Sequence, residues 1–289
     1  MEGAGTITQV SASIETPSGK GKEDENFPVG SFLIRRDLRP HVHAFYRFAR
    51  EADDIADNGD LTAEEKVRRL DRMAEVLEGA PGHDTPSAFA MRQSLAATGV
   101  TAQHSHDILH AFRMDATKLR YKDWGELMHY CRYSASPVGR QLLDLHGESQ
   151  ATWPANDALC SALQVLNHLQ DCAKDYHELD RVYLPDDDLA NFGSTIDDLT
   201  KSHATPGLRK TLDRLLEGVD GLVATARTFS PQIRSPGLRR ETAIIVNLAE
   251  RLTQRLKDGD PIAGRVKLTK SDFALALLTG LWRGRRMGA

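Results

Sequence analysis

Apolar residues recur every three to four positions along almost the whole chain, the spacing that gives a helix one buried face. The periodicity predicts helices over 40–57, 62–78, 86–98, 103–120, 123–132, 136–147, 155–178, 205–228, 237–257 and 270–283. Breakers separate them: "NGD" at 58–60, "GAPGHDTP" at 79–86, "SASP" at 134–137, "SPQIRSPG" at 230–237 and "DGDP" at 258–261. The alternation of a half-buried strand never lasts beyond a few residues, and no long linker divides the chain. The pattern predicts one all-α domain over 25–289, preceded at 1–24 by a Gly-, Ser- and Thr-rich tail expected to be flexible.

Two of these helices carry a polar stripe where a plain surface helix would not. In "FYRFAREADDIADNGD" at 45–60, Tyr46, Arg50, Asp53 and Asp57 fall at i, i+4, i+7 and i+11, with Asp54 beside them. The helix ends there, and carboxylates at a helix C-terminus are disfavoured by roughly 0.3–1 kcal/mol each. In "ALQVLNHLQDCAKDY" at 162–176, Gln164, Asn167, Asp171 and Asp175 fall at i, i+3, i+7 and i+11 of a largely apolar helix. A polar stripe inside an apolar helix predicts the wall of an internal cavity, and two such walls can face one another across a bundle.

Composition narrows the classes. Hydrophobic residues make up 40% of the 289, enough for a sizeable core. The formal charge of −4, with both signs interspersed, argues against a nucleic-acid partner. Cys131, Cys160 and Cys172 form no metal-binding or disulfide pattern and fit a reducing cytoplasm. The N-terminus has no apolar signal region, and no apolar run is long enough to span a bilayer. The last helix, apolar and then basic, offers a surface that could touch the inner face of an anionic membrane, against the alternative of a core-packed helix with a solvated tail.

Carboxylates that repel one another need a cation. Mg²⁺ takes one or two protein carboxylates together with substrate phosphate oxygens. Two acidic helix faces therefore predict a Mg²⁺-assisted diphosphate site. "HDILH" at 106–110 places His106 and His110 on one face in the manner of zinc hydrolases, but Asp stands where the general-base Glu belongs and no third ligand follows. No glycine-rich dinucleotide fingerprint, phosphate-binding loop or serine elbow is present.

"DDIAD" at 53–57 and "DCAKD" at 171–175 resemble the two aspartate-rich motifs of the squalene/phytoene synthase family. "YCRYSASPVG" at 130–139, "NHLQDCAKDYHELDRVYLP" at 167–185 and "ENFPVGSFLIRRDLRPHVHAFYRFAREADDIAD" at 25–57 add to the likeness, which runs from about residue 25 to about 280. The resemblance implies an isoprenoid-synthase helical bundle around a central cavity. It implies Mg²⁺ held by Asp53, Asp54, Asp57, Asp171 and Asp175, with Gln164 and Asn167 as polar neighbours, and Phe27, Tyr46, Arg50, Arg181 and Tyr183 against a prenyl diphosphate. Gly139 is expected to allow a close approach beside the cavity.

Gln170 stands where ordinary members carry Arg before the second motif, and Lys174 where they carry an acid. This departure favours the family's bacterial hopanoid branch, in which presqualene diphosphate and water give hydroxysqualene and diphosphate without NADPH. A second family enzyme would then supply the presqualene diphosphate. The alternatives are a synthase joining two prenyl diphosphates head to head, and a helical assembly subunit that has lost catalysis.

Overall fold

The computed structural model describes residues 13–15 and 33–286, with side chains through 280. Phe27 and nearly all of the expected tail lie outside the described residues. Among the described residues the protein is entirely helical. The helices are α1 (Arg39–Asp57), α2 (Ala63–Leu77), α3 (Pro86–Thr98), α4 (Gln103–Thr117), α5 (Trp124–Ser134), α6 (Ser136–Leu145), α7 (Trp153–Leu179), α8 (Asp186–Asn191), α9 (Pro206–Ala226), α10 (Phe229–Gln232), α11 (Pro236–Asp258) and α12 (Lys270–Arg286).

Local chemistry sets the boundaries. Proline occupies the first turn of α1, α3, α6, α7, α9 and α11, where its missing N–H is not needed. Thr62, Asp123 and Thr205 accept the N–H groups of Glu65, Glu126 and Leu208 at the starts of α2, α5 and α9. Gly99 ends α3 in the left-handed region, at φ 71°. α4 stops three residues before the predicted 120. The following segment is needed elsewhere: the Leu119 and Tyr121 carbonyls accept from the Val182 and Asp186 N–H groups. That pairing carries Tyr121 into the interior, where its ring stacks on Tyr183.

Two apolar cores result. The smaller joins α1 to α4 through residues such as Phe48, Ile55, Met73 and Met91. The larger is built on α7, which supplies Leu166, with α4, α5, α9 and α11 contributing Ala111, Leu127, Leu216 and Leu252. The polar ends of α1 and α7 meet between these cores. α12 lies against α11, where Gly280 lets the two backbones approach: a Cβ there would sit 2.9 Å from the Ile244 nitrogen. Ser13–Glu15 rest on the α2–α3 connection, with the Ile14 N–H donating to the Asp84 carbonyl and Glu15 accepting from the Ser87 N–H.

Candidate active site

α1 reaches its C-terminus beside a polar cavity of about 240 Å³. Asp53 and Asp57 line it from α1, Asp115 from α4, and Gln164, His168 and Asp175 from α7. An apolar chamber of about 380 Å³ adjoins it, sharing Asp53, Phe112 and Ser134. Tyr46 and Arg50 line the chamber beside Asp53, and Phe45, Leu142, Leu163 and Ile245 close much of the remainder.

The acids at the end of α1 are compensated by arginine. Arg50 reaches Asp53 at 3.2 Å and Asp54 at 3.0 Å. Arg181 reaches Asp57 at 3.0 Å from the far side and so ties α1 to the segment after α7. Its position follows from how α7 ends. Asp180 adopts φ 50°, a left-handed conformation that Asp tolerates, and Arg120 pairs with its carboxylate. The Arg181 N–H then turns back to the Asp175 carbonyl, and its side chain re-enters the bundle.

Behind Arg181 lies a buried network. Tyr130 and Tyr183 donate to the two carboxylate oxygens of Asp115 at 2.8 and 3.0 Å, and Arg181 donates to the Asp115 carbonyl at 3.0 Å. Burial, then the Asp115 charge, pushes both phenols well above their ordinary range, so they remain donors. Burial pushes Asp115 up to about 6 against the pull of Arg181. His168 stacks on Tyr183 with ring centroids 3.4 Å apart, and burial, with Arg181 nearby, lowers it to about 3. It is a neutral ring in the cavity wall.

Two further cavity acids are raised, Asp53 even with Arg50 beside it. Burial, then Asp57, raises Asp53 to about 8. Burial, then Asp171, raises Asp175 to about 7. Carboxylate oxygens are hard donors, and carboxylates crowded by burial and like charge gain from a divalent cation beside them. Among the described residues, no three His, Cys, Asp or Glu side chains converge on a single point. Asp53, Asp57 and Asp175 offer carboxylate oxygens, the donor type a divalent cation takes.

Tyr46, Arg50, Asp53 and Asp57 line the two cavities, whereas the α7 wall is displaced from its expected stripe. Counting about 100° per residue, Asp54 sits about 80° round α1 from Tyr46, outside the arc that holds Tyr46, Arg50, Asp53 and Asp57. It is buried under Arg50 and lines neither cavity. On α7 the wall is Gln164, His168, Asp175 and Leu179, while Asn167 and Asp171 fall on the other side of the stripe. Arg265 takes Asp171 in two contacts of 2.8 Å. Gln170 also points away from the cavity: its amide donates to the Val266 carbonyl at 2.5 Å. Position 170 therefore does not face the polar cavity as expected, and with Asp171 it holds the connection between α11 and α12.

Gly139 does permit a close approach. A Cβ there would lie 1.9 Å from Asn156 Oδ1 and 2.8 Å from Cys160 Sγ, so α6 packs directly on α7 along the chamber. The histidines of "HDILH" diverge, His106 toward Glu78 at 3.9 Å and His110 against the Tyr133 ring. Asp115, Gln141 and Arg265 were not singled out from sequence. Asp115 alone left a signal, an acid seven residues after Ile108 on the buried face of α4.

The squalene/phytoene synthase family model matches residues 20–272. The hydroxysqualene synthase of Zymomonas mobilis subsp. mobilis is 45% identical over 283 residues, covering 94% of this chain and 95% of the relative. That of Rhodopseudomonas palustris is 45% identical over 267 residues, covering 92% and 91%. Among solved structures, a squalene synthase from Alicyclobacillus acidocaldarius superposes with TM-score 0.70 at 32% identity, covering 80% of this chain and 87% of that one. A dehydrosqualene synthase superposes with TM-score 0.79 at 22% identity, covering 92% and 93%, and shows the shared fold. The chain belongs to the squalene/phytoene synthase family and is an enzyme of the prenyl synthase type.

Proposed function

We propose that the enzyme converts presqualene diphosphate and water to hydroxysqualene and diphosphate. The observation that carries this reading is the junction of an acid-lined polar cavity with an apolar chamber at Asp53. A prenyl diphosphate is itself divided in this way, into an anionic head and a hydrocarbon body. The names of the relatives that share 45% of the sequence support the choice of water as co-substrate.

In this reading Asp53, Asp57 and Asp175 would hold Mg²⁺. Bound Mg²⁺ supplies Lewis-acid stabilisation of the departing diphosphate. Asp54 holds Arg50 beside Asp53, and Arg50 and Arg181 offer guanidinium donors to phosphate oxygens. Asp171 ties Arg265 of the α11–α12 connection to α7. The carbon–oxygen bond breaks with its electron pair leaving on diphosphate. The resulting cyclopropylcarbinyl cation rearranges and opens against the ring face of Tyr46, whose quadrupole attracts positive charge. Water then adds its lone pair to the cation and loses one proton.

A separate presqualene diphosphate synthase supplies the substrate. The lipid character of both substrate and product suits contact with a membrane surface through α12, where Phe273, Leu275, Leu277 and Leu278 are exposed. Among the described residues, no helix is long and apolar enough to cross a membrane.

Chelating divalent metal should stop diphosphate release from presqualene diphosphate, and added Mg²⁺ should restore it with alcohol as the product and nicotinamide left out. Release at full rate in chelator, or a product that forms only with NADPH, would overturn the reading.

A further inference from the structure

Gln141 is one of the buried polar residues, with Asn156, Glu241 and Thr242, in the lining of the mainly apolar chamber. It lies on the chamber-facing side of α6 with Val138, Leu142 and Leu145, and is 1% exposed. A glutamine amide carries two N–H donors and a carbonyl acceptor. Among the described residues, neither its Nε2 nor its Oε1 has a hydrogen-bond partner. Buried polar groups are almost always paired, and an exception needs an explanation. Leucine or methionine would fill this position in an apolar wall without leaving unpaired polar atoms. Ser134 is a second orphan: its Oγ is buried without a partner at the junction of chamber and polar cavity.

The chemistry proposed above makes a demand on this chamber. A cavity lined by Leu, Ile and Phe stays dry, and water enters only where two or more polar partners hold it. A dry chamber protects a carbocation but also denies it the nucleophile that would give an alcohol. We infer that Gln141 is the positioning residue for the water that captures the cation. This rests on the water-capture reading and deepens it.

Gln141 Oε1 accepts a hydrogen bond from one water O–H, whose hydrogen stays on the product alcohol, and this turns a water lone pair toward the cation. The carbon–oxygen bond forms from that lone pair. The second proton leaves past the Ser134 hydroxyl to the released diphosphate, the base that the reaction itself generates in the adjoining cavity. Charge balances: one cation is quenched, and one proton is transferred to diphosphate. Without the held water, the cation ends instead by losing a C–H proton to diphosphate, which leaves a new double bond and a hydrocarbon product.

The test compares product ratios rather than rates. The wild-type enzyme, Gln141→Met and Gln141→Glu are each given presqualene diphosphate and Mg²⁺, and alcohol and hydrocarbon are measured against released diphosphate. Met matches Gln in length and suits an apolar wall, so its unfolding midpoint should stay level or rise. Alcohol formed per diphosphate released should fall about tenfold or more in Gln141→Met, the scale of losing a positioned reactant, with hydrocarbon taking its place. Gln141→Glu keeps a polar head of the same size and should keep alcohol as the major product. An unchanged alcohol fraction in Gln141→Met overturns the inference, and so does equal loss in both variants, which would point to packing. Failure of the wild-type enzyme to make alcohol would instead overturn the water-capture reading itself.

Discussion

Replacing Asp53 with Asn lowers diphosphate release by about 10²–10³-fold, the range for removing one preorganised charge-stabilising group, while the helical fold persists. Asp53 lines both cavities, so its carboxylate stands where the anionic head meets the hydrocarbon body. Burial and Asp57 already hold it near 8, even with Arg50 beside it. Asn has nearly the same volume and relieves that repulsion, so the unfolding midpoint should stay level or rise. Asp175→Asn should act in the same direction from the facing wall, because Asp175 is likewise raised, to about 7. Asp54→Asn should cost less, because Asp54 touches Arg50 and lines neither cavity. Release of diphosphate under single-turnover conditions, with urea unfolding alongside, measures both quantities. Wild-type release by a folded Asp53→Asn would remove Asp53 from the site.

Replacing Arg181 with Met destabilises the protein by about 3–5 kcal/mol, the scale of leaving a buried charge without its partner. Arg181 is 7% exposed and is shared between Asp57 and Asp115. Its removal strands Asp115, whose side chain is 4% exposed. The loss should depend on pH in a definite direction. Asp115 is already raised to about 6 by burial against the pull of Arg181, and without Arg181 it rises further. A carboxyl whose folded value lies above its unfolded value favours the fold while protonated. It loses that contribution as pH rises through the folded value. The deficit of Arg181→Met should therefore be smaller near pH 5 than near pH 8. Urea midpoints at the two values decide it, and an equal deficit at both would show that Asp115 is not the stranded group.

Most of the fold was legible because helix periodicity and proline punctuation are local. Each helix predicted from the pattern is present, and the main differences are the early end of α4 and the short α8 and α10. α8 and α10 are too short to show a period. α4 ends early because a tertiary pairing claims residues 119–121.

The site was legible only as far as one helix face at a time. Asp53, Asp57, Gln164 and Asp175 follow from spacing. The centre of the α7 stripe does not, because spacing fixes which residues share a face but not which part of that face looks into the cavity. That is why His168 replaced Asn167 in the wall and Asp171 turned to an arginine, as Asp54 beside the α1 stripe also did. Partnerships across the bundle, such as Arg181 with Asp57 or Arg265 with Asp171, join residues that no local pattern connects. Gln141 was invisible for a different reason. One polar residue among leucines on α6 acquires meaning only once its amide is seen to be buried without a partner.

In the proposed reaction, water ends the path of the cation. The most direct measurement is mass spectrometry of the product formed from presqualene diphosphate and Mg²⁺ in oxygen-18 water, with no nicotinamide present. Hydroxysqualene carrying the heavy oxygen, in step with released diphosphate, is the predicted result. An unlabelled alcohol, or squalene appearing only after NADPH is added, would contradict it.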